Sequence, residues 1–166
     1  MSNLRLINET TFSSVNTVNV TDVFSADYDI YKITSDVAGQ YGLLKFINSA
    51  GSVMSDGAYD TARLNLKLNT TFSETRIVGT DVGIYAFTES SGSGTGGNVL
   101  YIFNPFSSSS YTFVIAQTID INTSSAHRIA KTIGVHKNNS SMGGFQLNAL
   151  ASVSGTMRTY GLRVDS

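Results

Sequence analysis

The sequence predicts an all-β fold, an antiparallel β-sandwich of jelly-roll-like type with about ten strands, and three observations carry that expectation. First, only 14% of residues are charged, and polarity comes instead from serine, threonine and asparagine. Those residues suit strands and turns and compete with helix interiors by local hydrogen bonding. Second, apolar residues recur at a period of two, with turn signals roughly every ten residues. Third, residues 98–119 read as a hairpin: two apolar runs, 99–103 and 111–115, flank Asn104, Pro105, Phe106 and four serines, including the chain's only proline. Proline fixes φ and pushes the preceding residue away from the helical region, so Asn-Pro begins a turn.

Taken in order, residues 4–7 form a short apolar arm, and 14–24 carry Val15, Val18, Val20 and Val23 at a spacing that predicts one strand with a bulge. Residues 28–37 follow, with Tyr31, Ile33 and Val37 on one face. Gly39 and Gly42 bracket a turn before 43–47, apolar on both faces, and the glycines and serines of 48–59 make a loop. Residues 63–69 alternate strictly, which predicts Leu64, Leu66 and Leu68 inward and the polar residues outward. A helix there would scatter those leucines around its axis. Strands at 82–87, 128–136, 145–150 and 156–164 complete the pattern, and the glycine-rich stretch 90–97 reads as a hairpin tip. In the anchor hairpin Tyr111, Phe113, Ile115 and Ile119 share one face at period two, which assigns Phe113 and Ile115 to the core. The 166 residues read as one β-sandwich domain, 1–166, with a short N-terminal arm over about residues 1–8.

The composition narrows function mostly by exclusion. A formal net charge of −1 offers no field for steering polyanions, so nucleic acid is not an expected partner. With no cysteine there is neither a disulfide framework nor thiolate chemistry. The N-terminus lacks a hydrophobic signal core, and no run of eighteen apolar residues occurs, so neither a signal peptide nor a membrane span is expected. Gly92 to Gly97 lacks the Lys-Ser/Thr ending of a phosphate loop and leads into a strand. His127 and His136, nine residues apart on one strand, project to opposite faces and cannot share a metal. The pairs Asp27/Asp29 and Asp56/Asp60 lack calcium-loop spacing and read as turn residues. No serine sits in a Gly-x-Ser-x-Gly elbow, and Glu74 and Glu89 read as solvated strand-end carboxylates. No catalytic, cofactor-binding or metal-ligating residue is assigned, and the chain is not expected to be an enzyme.

Residues 102–113, the Gly134-Val135-His136 and Gly143-Gly144-Phe145 segments, and 154–161 resemble a β-sandwich domain of tailed-bacteriophage virion proteins. Residues 20–33 are similar to that domain's opening strands, so the likeness spans most of the chain. The resemblance implies a non-enzymatic structural protein of the virion, assembled in the host bacterial cytoplasm, whose partners are other virion proteins: the major capsid protein or a tail protein. A capsid decoration or cement protein is the first expectation. A tail-fibre or receptor-binding module that binds carbohydrate is the second.

Two surfaces follow from the residues themselves. Leu4, Leu6 and Ile7 lie on a terminus that would otherwise fray, which suggests burial against a neighbouring subunit, with Asn104, Pro105 and Phe106 at the hairpin tip as the second contact of a homo-oligomer, taken as a trimer. The competing arrangement folds the arm back as an edge strand on its own sheet. For the carbohydrate alternative, Tyr59 and Tyr85 with Phe106 are the aromatics expected to face a glycan.

Overall fold

A computed structural model describes residues 3–39, 42–67, 72–87, 95–121 and 127–163. Leu68, Glu89 and most of the glycine-rich tip, Gly92 to Gly94 among them, lie outside the described residues. The chain is all-β, with no helix among the described residues. Its nine strands are β1 (Leu4–Val20), β2 (Ile30–Gly39), β3 (Gly42–Asn48), β4 (Tyr59–Lys67), β5 (Ser73–Thr80), β6 (Thr95–Phe103), β7 (Thr112–Ile121), β8 (His127–His136) and β9 (Met142–Leu162). All pairings are antiparallel, in the order β1-β9-β2-β6-β7-β8-β4-β5, with β3 also on β9.

The long strand β9 organises the sandwich. Its first half pairs with β3 and the end of β1, setting Leu147 opposite Leu44 and Val18. Its second half pairs with β2 and the start of β1, setting Tyr160 opposite Lys32 and Leu6. β9 therefore passes from a short leaf into a long one. β1 follows it through register shifts between Phe12 and Thr17, where Ser14 takes a φ of 53°. Such bulges bend a strand without breaking its ladder.

The short leaf covers the inner face of the long one. Leu44 and Ile84 exchange backbone hydrogen bonds of 2.8 and 2.9 Å, and the Tyr59 hydroxyl accepts one of 2.8 Å from the Phe46 amide. Gly83 makes the crossing possible: its φ is +110°, and a Cβ there would stand 2.7 Å from the Leu44 carbonyl oxygen. Phe24, Tyr31, Phe46, Leu100, Ile102 and Phe145 fill the core between the leaves.

The N-terminal arm folds back as the edge strand, pairing Leu4 with Leu162. Ile7 packs partly against the core, while Leu6 points outward. The anchor hairpin forms with Phe103 opposite Phe113. Its turn is docked: Asn104 holds a φ of 55° and its amide donates to the Asp29 carbonyl at 2.8 Å, while the Pro105 carbonyl accepts from the Met142 amide at 2.8 Å.

In β4 and β7 the face assignment is the reverse of what the alternation suggested. Phe113 and Ile115 are 44% and 46% exposed, and Leu64 also points outward, whereas Arg63, Asn65, Thr112, Val114, Ala116 and Thr118 are buried. The reason is room. A Cβ on Gly134, an inner-face residue level with Val114 and Thr61, would sit 2.7 Å from the Ile84 side chain. Beneath Ile84 the inner face takes small residues, Thr61, Val114 and Gly134 in one row. The threonines also serve the cover, since Thr132 Oγ1 donates to the Tyr85 carbonyl at 2.7 Å. The larger phenylalanine and isoleucines take the other side.

Candidate interaction surface

Three rows of cross-strand neighbours on the outer side of the long leaf are apolar. One row runs Tyr101, Ile115, Ile133, Ala62 through β6, β7, β8 and β4. A second runs Phe103, Phe113, Val135, and a third Ile119, Ile129, Leu66. Directly opposed side chains stand about 5 Å apart, so each row is continuous; the first two rows adjoin, while Gln117 and Lys131 lie between the first and the third. Between the first two rows and β5 the face dips into a depression of about 500 Å³ lined by Phe113, Ile115, Ile133, Val135, Ile77 and Val78. Isolated exposed apolar residues are ordinary; a contiguous face of them marks a contact surface.

Charge of both signs lies at the edge of this face, and Lys131 stands within it, between Ile129 and Ile133. Glu74, Arg76 and Lys131 line an adjoining hollow of about 400 Å³. On the opposite rim Asp60 accepts hydrogen bonds from Lys137 Nζ at 2.9 Å and from the Gly79 amide at 2.8 Å. The Lys137 ammonium, helped by that amide, holds the Asp60 carboxyl below its ordinary value.

The inner side of the same strands turns polar toward one end. Asn98 Nδ2 donates to Ser35 Oγ at 2.8 Å, and Arg128 pairs with the buried Asp120 at 3.3 Å. Arg63 and Asn65 are buried on β4 at this end. A sheet that is polar within and apolar without, over part of its area, has its drier side facing outward there.

At the other end His136 is fully buried, its ring 4.5 Å from that of Tyr59 and 5.8 Å from that of Phe46. Its Nε2 lies 3.0 Å from Asp56 Oδ1, and Asn138 donates to Asp56 Oδ2 at 2.8 Å. Burial raises the Asp56 carboxyl, but the hydrogen bonds from Asn138 and His136 together outweigh it and leave it below its ordinary value. An acid–base dyad must reach a substrate, and this imidazole has no surface to offer one. The pair ties the 48–59 loop to β8. His127 is exposed, on the opposite face of the strand as its odd spacing requires. Among the described residues no group of three histidine, cysteine or acidic side chains could hold a metal ion. Among the described residues no helix is long and apolar enough to cross a membrane.

The residues singled out from sequence are dispersed. Leu4, Leu6 and Ile7 lie on the edge strand β1, remote in strand order from the apolar rows of β7, β8 and β4. Pro105 is buried, so of the three tip residues Asn104, Pro105 and Phe106 it is Phe106 that is exposed, at 37%, with Asn104 half-buried. Tyr59 is not a glycan-facing aromatic. It is fully buried because its strand turns it under Phe46, and burial pushes its hydroxyl far above the ordinary tyrosine value. Tyr85 is half-buried in the covering segment. A polar hollow of about 200 Å³ does exist beside Phe106, lined by Ser25, Ala26, Tyr28, Asp29, Asn104 and Ser107. No protein-family model matches the chain, and no curated protein is similar to it in sequence.

Proposed function

We propose that this chain is a non-enzymatic structural protein of a bacteriophage virion, a capsid decoration or cement protein that acts through lasting contacts with other virion proteins. The observation that carries the structural half of this reading is the apolar outer face of β6, β7, β8 and β4, where Phe113, Ile115, Ile119 and Ile133 stand exposed in register. Steering by charge serves transient encounters, whereas a largely apolar face of cross-strand isoleucines gains its free energy by staying covered. The virion half rests on the resemblance of residues 20–33, 102–113 and 154–161 to phage virion β-sandwich domains. A density map of the purified particle that encodes this chain tests it: the sandwich should sit at repeated positions on the capsid lattice. A particle without it overturns the reading.

The hollow formed by Tyr28, Asp29, Asn104 and Phe106 favours a second reading, a carbohydrate-binding tail module. An aromatic beside amide and carboxylate groups is the chemistry that holds a sugar ring. A glycan array that retains the wild-type protein and loses Phe106→Ala would favour that reading over the first.

A further inference from the structure

We infer that the outer face of the long leaf is covered by a second copy of this chain, stacked face to face. The inference rests on the structural reading above and names the partner of that surface.

Area is the first argument. Phe113, Ile115, Ile119, Ile121, Ile129 and Ile133 are between 42% and 63% exposed, and Leu64 and Val78 extend the patch at 43% and 66%. Eight such side chains at about half exposure present roughly 700 Å². Gln117 and Lys131 divide this area into two patches, which together approach the roughly 800 Å² per partner of a standard stable interface.

Symmetry is the second. In a two-fold contact each residue at the axis meets its own copy, so a charge there would face its like. The directly opposed pair Ile115 and Ile133 offers an uncharged place for the axis, one row away from Gln117 and Lys131. Glu74, Arg76 and Lys131 gather in the hollow beside it, so a second copy brings both signs to a border that holds both signs. A polyanion or an anionic lipid surface would find no such match. Stacking is also the ordinary way for sheets to cover each other, about 10 Å apart through interdigitated side chains.

The test is the mass of the purified full chain by multi-angle light scattering between about 1 and 100 μM, with circular dichroism and thermal melts as folding controls. A species twice 17.8 kDa is expected at the upper concentrations. Ile133→Lys, and independently Ile119→Lys, should keep the β-sheet spectrum and weaken association about 100-fold or more. Leu6→Lys, on the outward side of the edge strand, should leave the dimer intact. A wild-type monomer at 100 μM overturns the inference, as does an oligomer unaffected by either isoleucine variant or dissolved by Leu6→Lys alone. Flotation of a monomeric protein with phosphatidylcholine vesicles would assign the face to lipid instead. None of these outcomes bears on whether the chain is found in a virion, which the particle map decides separately.

Discussion

Strands β2 and β7 alternate with the same period and opposite meaning. β2 turns Tyr31, Ile33 and Val37 inward and leaves Lys32, Thr34 and Asp36 outside. Two strands away, β7 turns Thr112, Ala116, Thr118 and Asp120 inward and presents Phe113, Ile115 and Ile119. Period two fixes that a strand has two unlike faces; which of them is dry depends on what lies above each. Over β2 the only apolar cover is the chain's own core. β7 has a tight cover on one side that admits small and hydroxylated residues, and an apolar outer side built for a second cover.

The contrast can be broken most forcefully from the core. Phe145→Ala, on β9 beneath Phe24, should cost about 3–5 kcal/mol in chemical denaturation, because it deletes a fully buried ring from between the leaves. A loss under about 1 kcal/mol would mean the leaves do not close over it. Thr132→Val comes next, at about 1–3 kcal/mol, since it removes the hydrogen bond from Thr132 Oγ1 to the Tyr85 carbonyl of the covering segment. A neutral or stabilising result would detach the polar inner face from the cover it is said to serve. Phe113→Ala, measured at a dilution where the chain is monomeric, should cost less than about 1 kcal/mol despite removing a ring of the same size. A cost like that of Phe145→Ala would put β7 the other way round.

The smallest effect is expected from pH. Asp56 and Asp60 have folded values below their ordinary ones, so the stability they add is complete above about pH 4 and drains away as pH falls through the folded values. Both are substantially exposed, which screens the gain. Asp60→Asn should therefore flatten the acid limb of a stability–pH curve only slightly. A variant whose acid limb matches the wild type's would remove the Lys137 pair from the account.

Much of the fold was legible in the sequence. Asn104 and Pro105 announced the hairpin because proline chemistry acts locally, and Val15 and Val18 hinted at the bulge that lets β1 bend. The exposed faces were not legible, because alternation in Leu64 to Leu66 or Phe113 to Ile115 is symmetric under exchange of inside and outside, and the cover that breaks the symmetry, Ile84 above Gly134, comes from elsewhere in the chain. The same distance hid the union of Asp56 with His136, 80 residues apart. Tyr59 misled for a related reason: a tyrosine beside a loop reads as exposed until its hydroxyl is seen to bond the Phe46 amide inside the core.

The inversion of β7 and β8 can be measured directly because the chain has no cysteine of its own. Ala116→Cys and Ile133→Cys place single thiols on opposite faces of neighbouring strands, at positions 1% and 63% exposed. At high dilution the thiol at 133 should react with a soluble maleimide at nearly the rate of a free thiol, while the thiol at 116 stays protected until the protein is unfolded. Rapid labelling at 116 with protection at 133 would contradict the account, because the isoleucines would then be core and the threonines would face water.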